Sequence, residues 1–169
     1  MNKGLINTLI TTTALLFGAQ TLADPAATGA TGEANVEPTH LTVHKSPTCG
    51  CCLGWMEHMH SAGFSTQGNH PEQLTQLKLS KGIQLPYQSC HTAVSVDGYV
   101  FEGHVPAKFI NQFLANVPNK ALGLSVPGMP VGSPGMEVGD KFMPYQVLLL
   151  KDDGTHEVYA QVNSAVDQL

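Results

Sequence analysis

The sequence contains no arginine, and only 12% of its 169 residues are charged. Arginine is the side chain best suited to paired hydrogen bonds with phosphate, so its absence argues against a nucleic-acid or nucleotide site. The chain also lacks a phosphate-binding loop of the form G-x-x-x-x-G-K-[ST]. Its formal net charge of −5 favours solubility and does not repel cations.

A long apolar run is also missing. The main apolar stretch, from about Leu5 to Phe17, is too short for a stable membrane span. It follows Lys3 and precedes small residues at Thr21–Ala23, which is the pattern of an export signal that is cleaved from the mature protein. We therefore predict a signal peptide over residues 1–23, export of the mature chain and no membrane span. The remainder is long enough for one domain with a single core.

Residues 24–39 contain no aromatic residue and are rich in Ala, Thr, Gly, Pro and Glu, which predicts a disordered tether. Residues 40–120 then alternate between strand and helix patterns. The clearest signal is a hairpin turning at Asp97-Gly98, because this pair suits a tight turn. The predicted elements are a strand at 40–46, a helix from about 51 to 63, a weak strand within 64–71, a helix at 71–83, the hairpin at 91–104 and a helix at 105–118.

The C-terminal segment, residues 121–169, forms a predicted extension. Residues 123–145 are rich in Gly and Pro and are expected to be irregular, and residues 145–162 are expected to form a hairpin turning at Asp153-Gly154. The predicted fold class is therefore α/β, a thioredoxin-like domain over 40–120 with a C-terminal extension that ends in a β-hairpin.

Three of the four cysteines, Cys49, Cys51 and Cys52, occupy four consecutive positions at a strand-to-helix turn. A disulfide between sequence neighbours is strained, so a purely structural disulfide is the weaker interpretation of this cluster. The N–H groups and partial positive charge of a helix N-terminus stabilise thiolate. Because thiolate both attacks disulfides and binds soft metals, the motif leaves a redox pair and a metal site open.

The fourth cysteine, Cys90, precedes the predicted hairpin. Thioredoxin-like folds carry a loop at this point, packed against the C-x-x-C turn and usually containing a cis-proline, whereas this chain has Ser89-Cys90-His91. We therefore expect four sulfurs in one pocket, with His104 returning to the same end of the sheet. Soft sulfur ligands select Cu(I), zinc or iron–sulfur clusters. Zinc usually takes two spaced cysteine pairs, so the three-plus-one pattern favours bridged metal ions.

Methionines and histidines add candidate ligands. Met129 and Met136 lie on the Gly/Pro-rich segment, where their thioethers would serve either as soft ligands or as packing groups. His104 is the only histidine expected at the site. We expect His91 to point away from Cys90, as strand neighbours do, and His58 and His60 to face solvent.

Four segments of the chain resemble the CopG-like periplasmic copper-resistance proteins, which are distinct from the DNA-binding repressors of the same name. They are "SPTCGCCLGW", "SCHTAV", "DGYVFEGHVP" and "GLSVPGMPVGSPGME", and the resemblance runs from about Leu41 to Val158. It implies a thioredoxin-like domain whose C-terminal extension helps to bind a copper cluster bridged by cysteine sulfurs. It also implies interconversion of Cu(I) and Cu(II) in copper detoxification, with a copper efflux system as partner.

Carried over residue by residue, the resemblance assigns metal binding to Cys49, Cys51, Cys52, Cys90, His104, Met129 and Met136. An exported copper-binding redox protein is therefore the first functional hypothesis. Its alternative is a periplasmic thiol–disulfide oxidoreductase in which Cys49 attacks and Cys52 resolves. Cys51 argues against this alternative, because a third thiol between the two partners invites disulfide scrambling. Both enzymatic turnover and simple sequestration of copper are compatible with these residues.

Overall fold

The computed structural model describes residues 38–169. The predicted signal peptide and all of the predicted tether except Pro38 and Thr39 lie outside the described residues. The strands are β1 (His40–Lys45), β2 (Ser65–Asn69), β3 (His91–Ser95), β4 (Val100–Gly103), β5 (Ala121–Val126), β6 (Tyr145–Lys151) and β7 (His156–Val162). The α-helices are α1 (Gly50–Ser61), α2 (Leu74–Ser80) and α3 (Ala107–Ala115), and 3₁₀ turns occupy Leu85–Tyr87 and Ala165–Gln168.

All seven strands belong to one mixed sheet in the order β2-β1-β3-β4-β5-β6-β7. The pairs β1–β2 and β4–β5 are parallel, and the other neighbours are antiparallel. The predicted α/β class is confirmed. Both predicted hairpins are present as the antiparallel pairs β3–β4 and β6–β7.

The C-terminal segment continues the sheet through β5. Residues 123–126 were expected to be irregular because of their glycine and the prolines that follow, and this expectation was wrong. Leu124 and Val126 are fully buried and line the core, while a Cβ at Gly123 would overlap the backbone of Val100 on β4. Glycine at this position therefore permits close pairing of two central strands and does not mark a loop.

Side chains from helices α1 and α3 build the main core against the sheet. Spacings of three and four residues bring Cys52, Trp55 and Met59 of α1 to one buried face, and α3 buries Phe109, Ile110 and Phe113. Trp55 also donates a hydrogen bond from Nε1 to the carbonyl of Val105, at 2.9 Å. These contacts fix the start of α1 at the end of β1, where the cysteines lie.

One histidine of α1 has a structural role. His58 was expected to face solvent, but its Nε2 accepts a hydrogen bond from the backbone N–H of Ala107 at 3.0 Å, at the first residue of α3. Burial lowers the pKa of His58, in agreement with a neutral ring that accepts this bond. His60 is exposed, as expected. Within residues 38–169, no helix combines the length and apolarity needed to cross a membrane.

Candidate metal centre

The first three cysteines surround the start of α1. Cys49 precedes the helix with extended backbone, and Cys51 and Cys52 lie in its first turn. Cys52 is fully buried, whereas Cys49 and Cys51 are half-buried. The Sγ atoms of Cys49 and Cys51 lie 3.6 Å apart. Cys49 and Cys52, with Cα atoms 5.4 Å apart, form a disulfide, which leaves the thiols of Cys51 and Cys90 free.

Cys90 joins this trio from the segment before β3. Its Sγ lies 3.6 Å from Sγ of Cys52, and all four Sγ atoms lie within 4.8 Å of one another. The predicted juxtaposition of Cys90 with the helix-opening cysteines is confirmed. It arises because β1 and β3 are hydrogen-bonded neighbours, so the residue before β3 and the turn after β1 meet at the same end of the sheet.

Two imidazoles extend the sulfur cluster. The Sγ of Cys90 lies 3.0 Å from Nε2 of His104 and 3.2 Å from Nδ1 of His91. The expectation that His91 points away from Cys90 was wrong. Cys90 precedes the first residue of β3, so the alternation of side chains within a strand does not apply to this pair.

The second ring nitrogen of His104 fixes its tautomer. Nδ1 lies 2.8 Å from the carbonyl oxygen of Pro134, so it carries the proton and donates. Nε2 is therefore the unprotonated nitrogen, and its lone pair is directed at the thiol of Cys90. This is the arrangement in which a histidine binds a metal ion through one nitrogen while a carbonyl orients the other.

Burial keeps these groups uncharged in the absence of a cation. It raises the pKa of the Cys90 thiol to about 12, and the neighbouring Cys51 acts in the same direction. Burial also lowers the pKa of His104, and that of His91 falls well below its ordinary value. In addition, Nε2 of His91 is buried and has no hydrogen-bond partner among the described residues. The pocket thus holds sulfur and imidazole donors that a soft cation would satisfy.

The loop between β5 and β6 covers the start of α1. The carbonyl oxygen of Pro134 holds His104, and Gly135 packs on the backbone of the first turn of α1. Met136 follows Gly135 directly and is half-buried. Met129, whose side chain is 53% exposed, follows Gly128, which accepts a hydrogen bond from the Ser89 hydroxyl. Both predicted methionines therefore adjoin residues that contact the cysteine segments, and their role as ligands stays a prediction.

Comparisons with known proteins agree with this geometry. Two solved structures, described as forms 1 and 2 of the copper resistance protein CopG, each match with 40% identity and a TM-score of 0.70. Each match covers 75% of this chain, together with 99% of form 2 and 98% of form 1. The chain belongs to the CopG family. A family model described as "Protein of unknown function, DUF411" matches residues 87–136, and no curated protein matches significantly.

Within this CopG-family fold, the DUF411 match includes Cys90, His104 and both methionines but not the cysteines of α1. The site therefore combines two separate parts of the sequence. Sequence reasoning missed His91, although its position next to Cys90 was a usable signal. It also missed the buried Lys78–Glu102 ion pair behind Cys90, because charged residues far apart in the sequence give no sign that they meet.

Docking of the loop in this CopG-family protein is tested by Gly135→Ala. Gly135 has φ +83°, and a Cβ there would lie 2.5 Å from both the Cys51 carbonyl oxygen and the Trp55 nitrogen. Gly139→Ala is the matched control, because Gly139 has φ +54° and no atom near its Cβ position. The left-handed backbone costs about 1 kcal/mol in either variant. We expect the overlap to cost Gly135→Ala about 2 kcal/mol more in urea unfolding. Equal losses would contradict the close contact.

Proposed function

We propose that this protein is an exported copper-binding redox protein that holds several copper ions between its cysteine sulfurs and serves in copper resistance. The observation that carries the proposal is the approach of four Sγ atoms to within 4.8 Å of one another, in a chain of the CopG family. The related structures are described as copper resistance proteins, and the soft donor set agrees with that description.

The donors fit Cu(I). Cys49, Cys51, Cys52 and Cys90 would supply thiolates, and Nε2 of His104 presents a free lone pair to the same pocket. Adjacent cysteines suit bridging thiolates that are shared between several ions. The thioethers of Met129 and Met136 would either complete the set of metal ligands or line the entrance to the site. Thioether is a soft ligand that stays able to bind metal where thiols are oxidised.

The oxidation state of the protein sets how many sulfurs are available. With the Cys49–Cys52 disulfide formed, only Cys51 and Cys90 offer thiols. Reduction of the disulfide takes two electrons and two protons, which an external dithiol reductant supplies. Bound copper would then supply one-electron chemistry, each Cu(I) that becomes Cu(II) giving one electron to an external carrier.

We further propose that residues 40–120 form a thioredoxin-like module and that residues 121–169 extend it to cover the site. The strand order β2-β1-β3-β4, with α1 following β1, supports the first part. Contacts of Pro134 with His104 and of Gly135 with α1 support the second. The signal pattern in residues 1–23 supports a periplasmic location, where a copper efflux system is the proposed partner.

One observation favours a second function. The Cys49–Cys52 disulfide lies at a helix N-terminus, which is the position of a thiol–disulfide oxidoreductase pair. Against this, each sulfur of the disulfide has a free thiol 3.6 Å away, Cys51 beside Cys49 and Cys90 beside Cys52. Such neighbours favour internal exchange over a clean reaction with a substrate protein.

Metal analysis of fully reduced and of disulfide-bonded protein tests the proposal. We expect reduced protein to bind several Cu(I) per chain anaerobically and disulfide-bonded protein to bind fewer, because two of its four sulfurs are already bonded to each other. Wild-type protein that takes up no Cu(I) after reduction would reject the copper function. Insulin reduction by metal-free protein that persists in a Cys51→Ser/Cys90→Ser variant would establish the oxidoreductase instead.

A further inference from the structure

A row of buried polar side chains crosses the sheet on the face opposite the main core. His44, Thr92, Glu102 and Ser125 are register partners on β1, β3, β4 and β5. All four are buried, and Lys78 of α2 is buried against them with a side chain 2% exposed. Buried polar groups normally need hydrogen-bond partners. Among the described residues, Thr92, Ser125 and the Lys78–Glu102 pair have them, whereas Nδ1 of His44 has none.

Glu102 of this row and Lys78 of α2 bind the segment that carries Cys90. Glu102 Oε1 accepts a hydrogen bond from the backbone N–H of Ser89 at 2.6 Å, and Lys78 Nζ donates to the Ser89 carbonyl oxygen at 2.6 Å. Lys78 and Glu102 also form an ion pair with each other. The pair therefore holds both backbone polar groups of the residue that precedes Cys90.

Further contacts fix the same segment. Ser125 Oγ donates to the carbonyl oxygen of Tyr87 at 2.7 Å, and Thr92 donates to the second carboxylate oxygen of Glu102. Residues 88–90 belong to no helix or strand. Besides the contacts of Gln88 and Ser89 with Gly128, the position of Cys90 therefore depends on side chains that lie beneath this segment.

An ion pair at this depth needs a reason other than stability. Removing two charges from water costs several kcal/mol, and a well-packed apolar pair of similar volume is often as stable or more stable. Lys78, however, supplies a donor to the Ser89 carbonyl and Glu102 an acceptor to the Ser89 N–H, which apolar side chains do not provide.

We propose that Lys78 and Glu102 are positioning residues that hold Cys90 at the sulfur cluster through the backbone of Ser89. As far as it concerns copper, this inference rests on the proposed function. Its structural part does not, because the placement of Cys90 can be measured in metal-free protein.

The experiment compares two double variants. Lys78→Met/Glu102→Leu removes the ion pair and both contacts to Ser89, whereas Lys78→Met/Glu102→Gln keeps an oxygen acceptor for the Ser89 N–H. The control is Lys151→Met/Glu157→Gln, which removes the exposed ion pair of the β6–β7 hairpin. The readout is the rate at which iodoacetamide alkylates Cys90 relative to Cys51 in reduced, metal-free protein, with circular dichroism to verify folding.

We expect Lys78→Met/Glu102→Leu to raise the Cys90/Cys51 rate ratio about tenfold, the size expected from the loss of buried hydrogen bonds to charged groups. Lys78→Met/Glu102→Gln should recover part of that change, and the control should leave the ratio unaltered. An unaltered ratio in folded Lys78→Met/Glu102→Leu would overturn the proposal. Because Lys78 also lowers the pKa of the Cys90 thiol, against the larger effect of burial, each rate is compared per thiolate from its pH dependence, and the urea midpoint separates loss of position from loss of global stability.

Two further measurements complete the test. Amide hydrogen exchange in the wild type should show Ser89 protected although it lies outside helix and strand, and free exchange at Ser89 would overturn the proposal even where the variants do not fold. Cu(I) competition with bicinchoninate should show weaker binding by Lys78→Met/Glu102→Leu than by the wild type. A wild type that binds no copper would reject the copper function alone and leave the alkylation result valid.

Discussion

Cys90→Ser is expected to weaken Cu(I) binding at least a hundredfold. Cys90 belongs to both donor groups at the site, the four sulfurs and the set formed with His91 and His104. Changes to residues that only orient metal ligands cost about tenfold to a hundredfold in affinity, so loss of a shared ligand should cost more. Serine is close in size to cysteine and offers a hard oxygen in place of soft sulfur. Anaerobic competition with bicinchoninate measures the change.

Cys51→Ser is the matched comparison for Cys90→Ser. Cys51 belongs to the four-sulfur group alone, and like Cys90 it is half-buried. We expect Cys51→Ser to lower the number of copper ions bound per chain. The affinity for the Cu(I) that still binds should fall less than it does in Cys90→Ser. A larger loss of affinity from Cys51→Ser would show that Cys90 does not occupy the central place in the site.

Much of the site follows from local sequence signals. The alternation over β1 and the apolar spacing of Cys52, Trp55 and Met59 place the cysteine trio at a strand-to-helix turn. Asp97-Gly98 marks the β3–β4 hairpin, which leads back towards the same end of the sheet. The approach of Cys90 could therefore be predicted, because it follows from the pairing of β1 with β3.

The remainder depends on contacts that sequence patterns do not encode. Gly123 resembles a loop residue until its close contact with the Val100 backbone is known. His91 contacts Cys90 because β3 begins at His91 and Cys90 lies outside it. Placing the start of β3 one residue too early therefore reverses the expected orientation of the His91 side chain relative to Cys90. Neither case violates a local rule. Each shows tertiary packing deciding between two conformations that the local sequence allows.

The cysteines also link the two candidate functions. If Cys49 and Cys52 act as thiolate ligands as proposed, they would do so only after their disulfide is reduced, so disulfide formation would exclude full metal loading. The reducing power of the surroundings would thus set the capacity of the site. With the Cys49–Cys52 disulfide formed, Cys51 and Cys90 carry the free thiols, so they would be the sulfurs available before reduction.

Glu102→Leu alone is expected to destabilise the fold by about 3–5 kcal/mol, because it leaves Lys78 buried without a counter-charge. Lys78 is 2% exposed, and among the described residues its hydrogen bonds go to the Glu102 carboxylate and the Ser89 carbonyl. Domains of this size are typically stable by about 5–15 kcal/mol, so a large part of the total would be lost. Urea unfolding monitored by circular dichroism measures the change.

The double variant Lys78→Met/Glu102→Leu should recover most of the stability that Glu102→Leu loses, because it removes the unpaired charge and fills the site with apolar side chains of similar volume. Lys151→Met serves as the exposed control. Its partner Glu157 is 61% exposed, and we expect a change below about 1 kcal/mol. If Glu102→Leu lowered the free energy of unfolding no more than Lys151→Met does, Lys78 would have to be accessible to water. The ion pair would then not be a buried anchor for the Ser89 backbone. Recovery of stability without recovery of the Cys90 position in the double variant would separate the two roles of this ion pair.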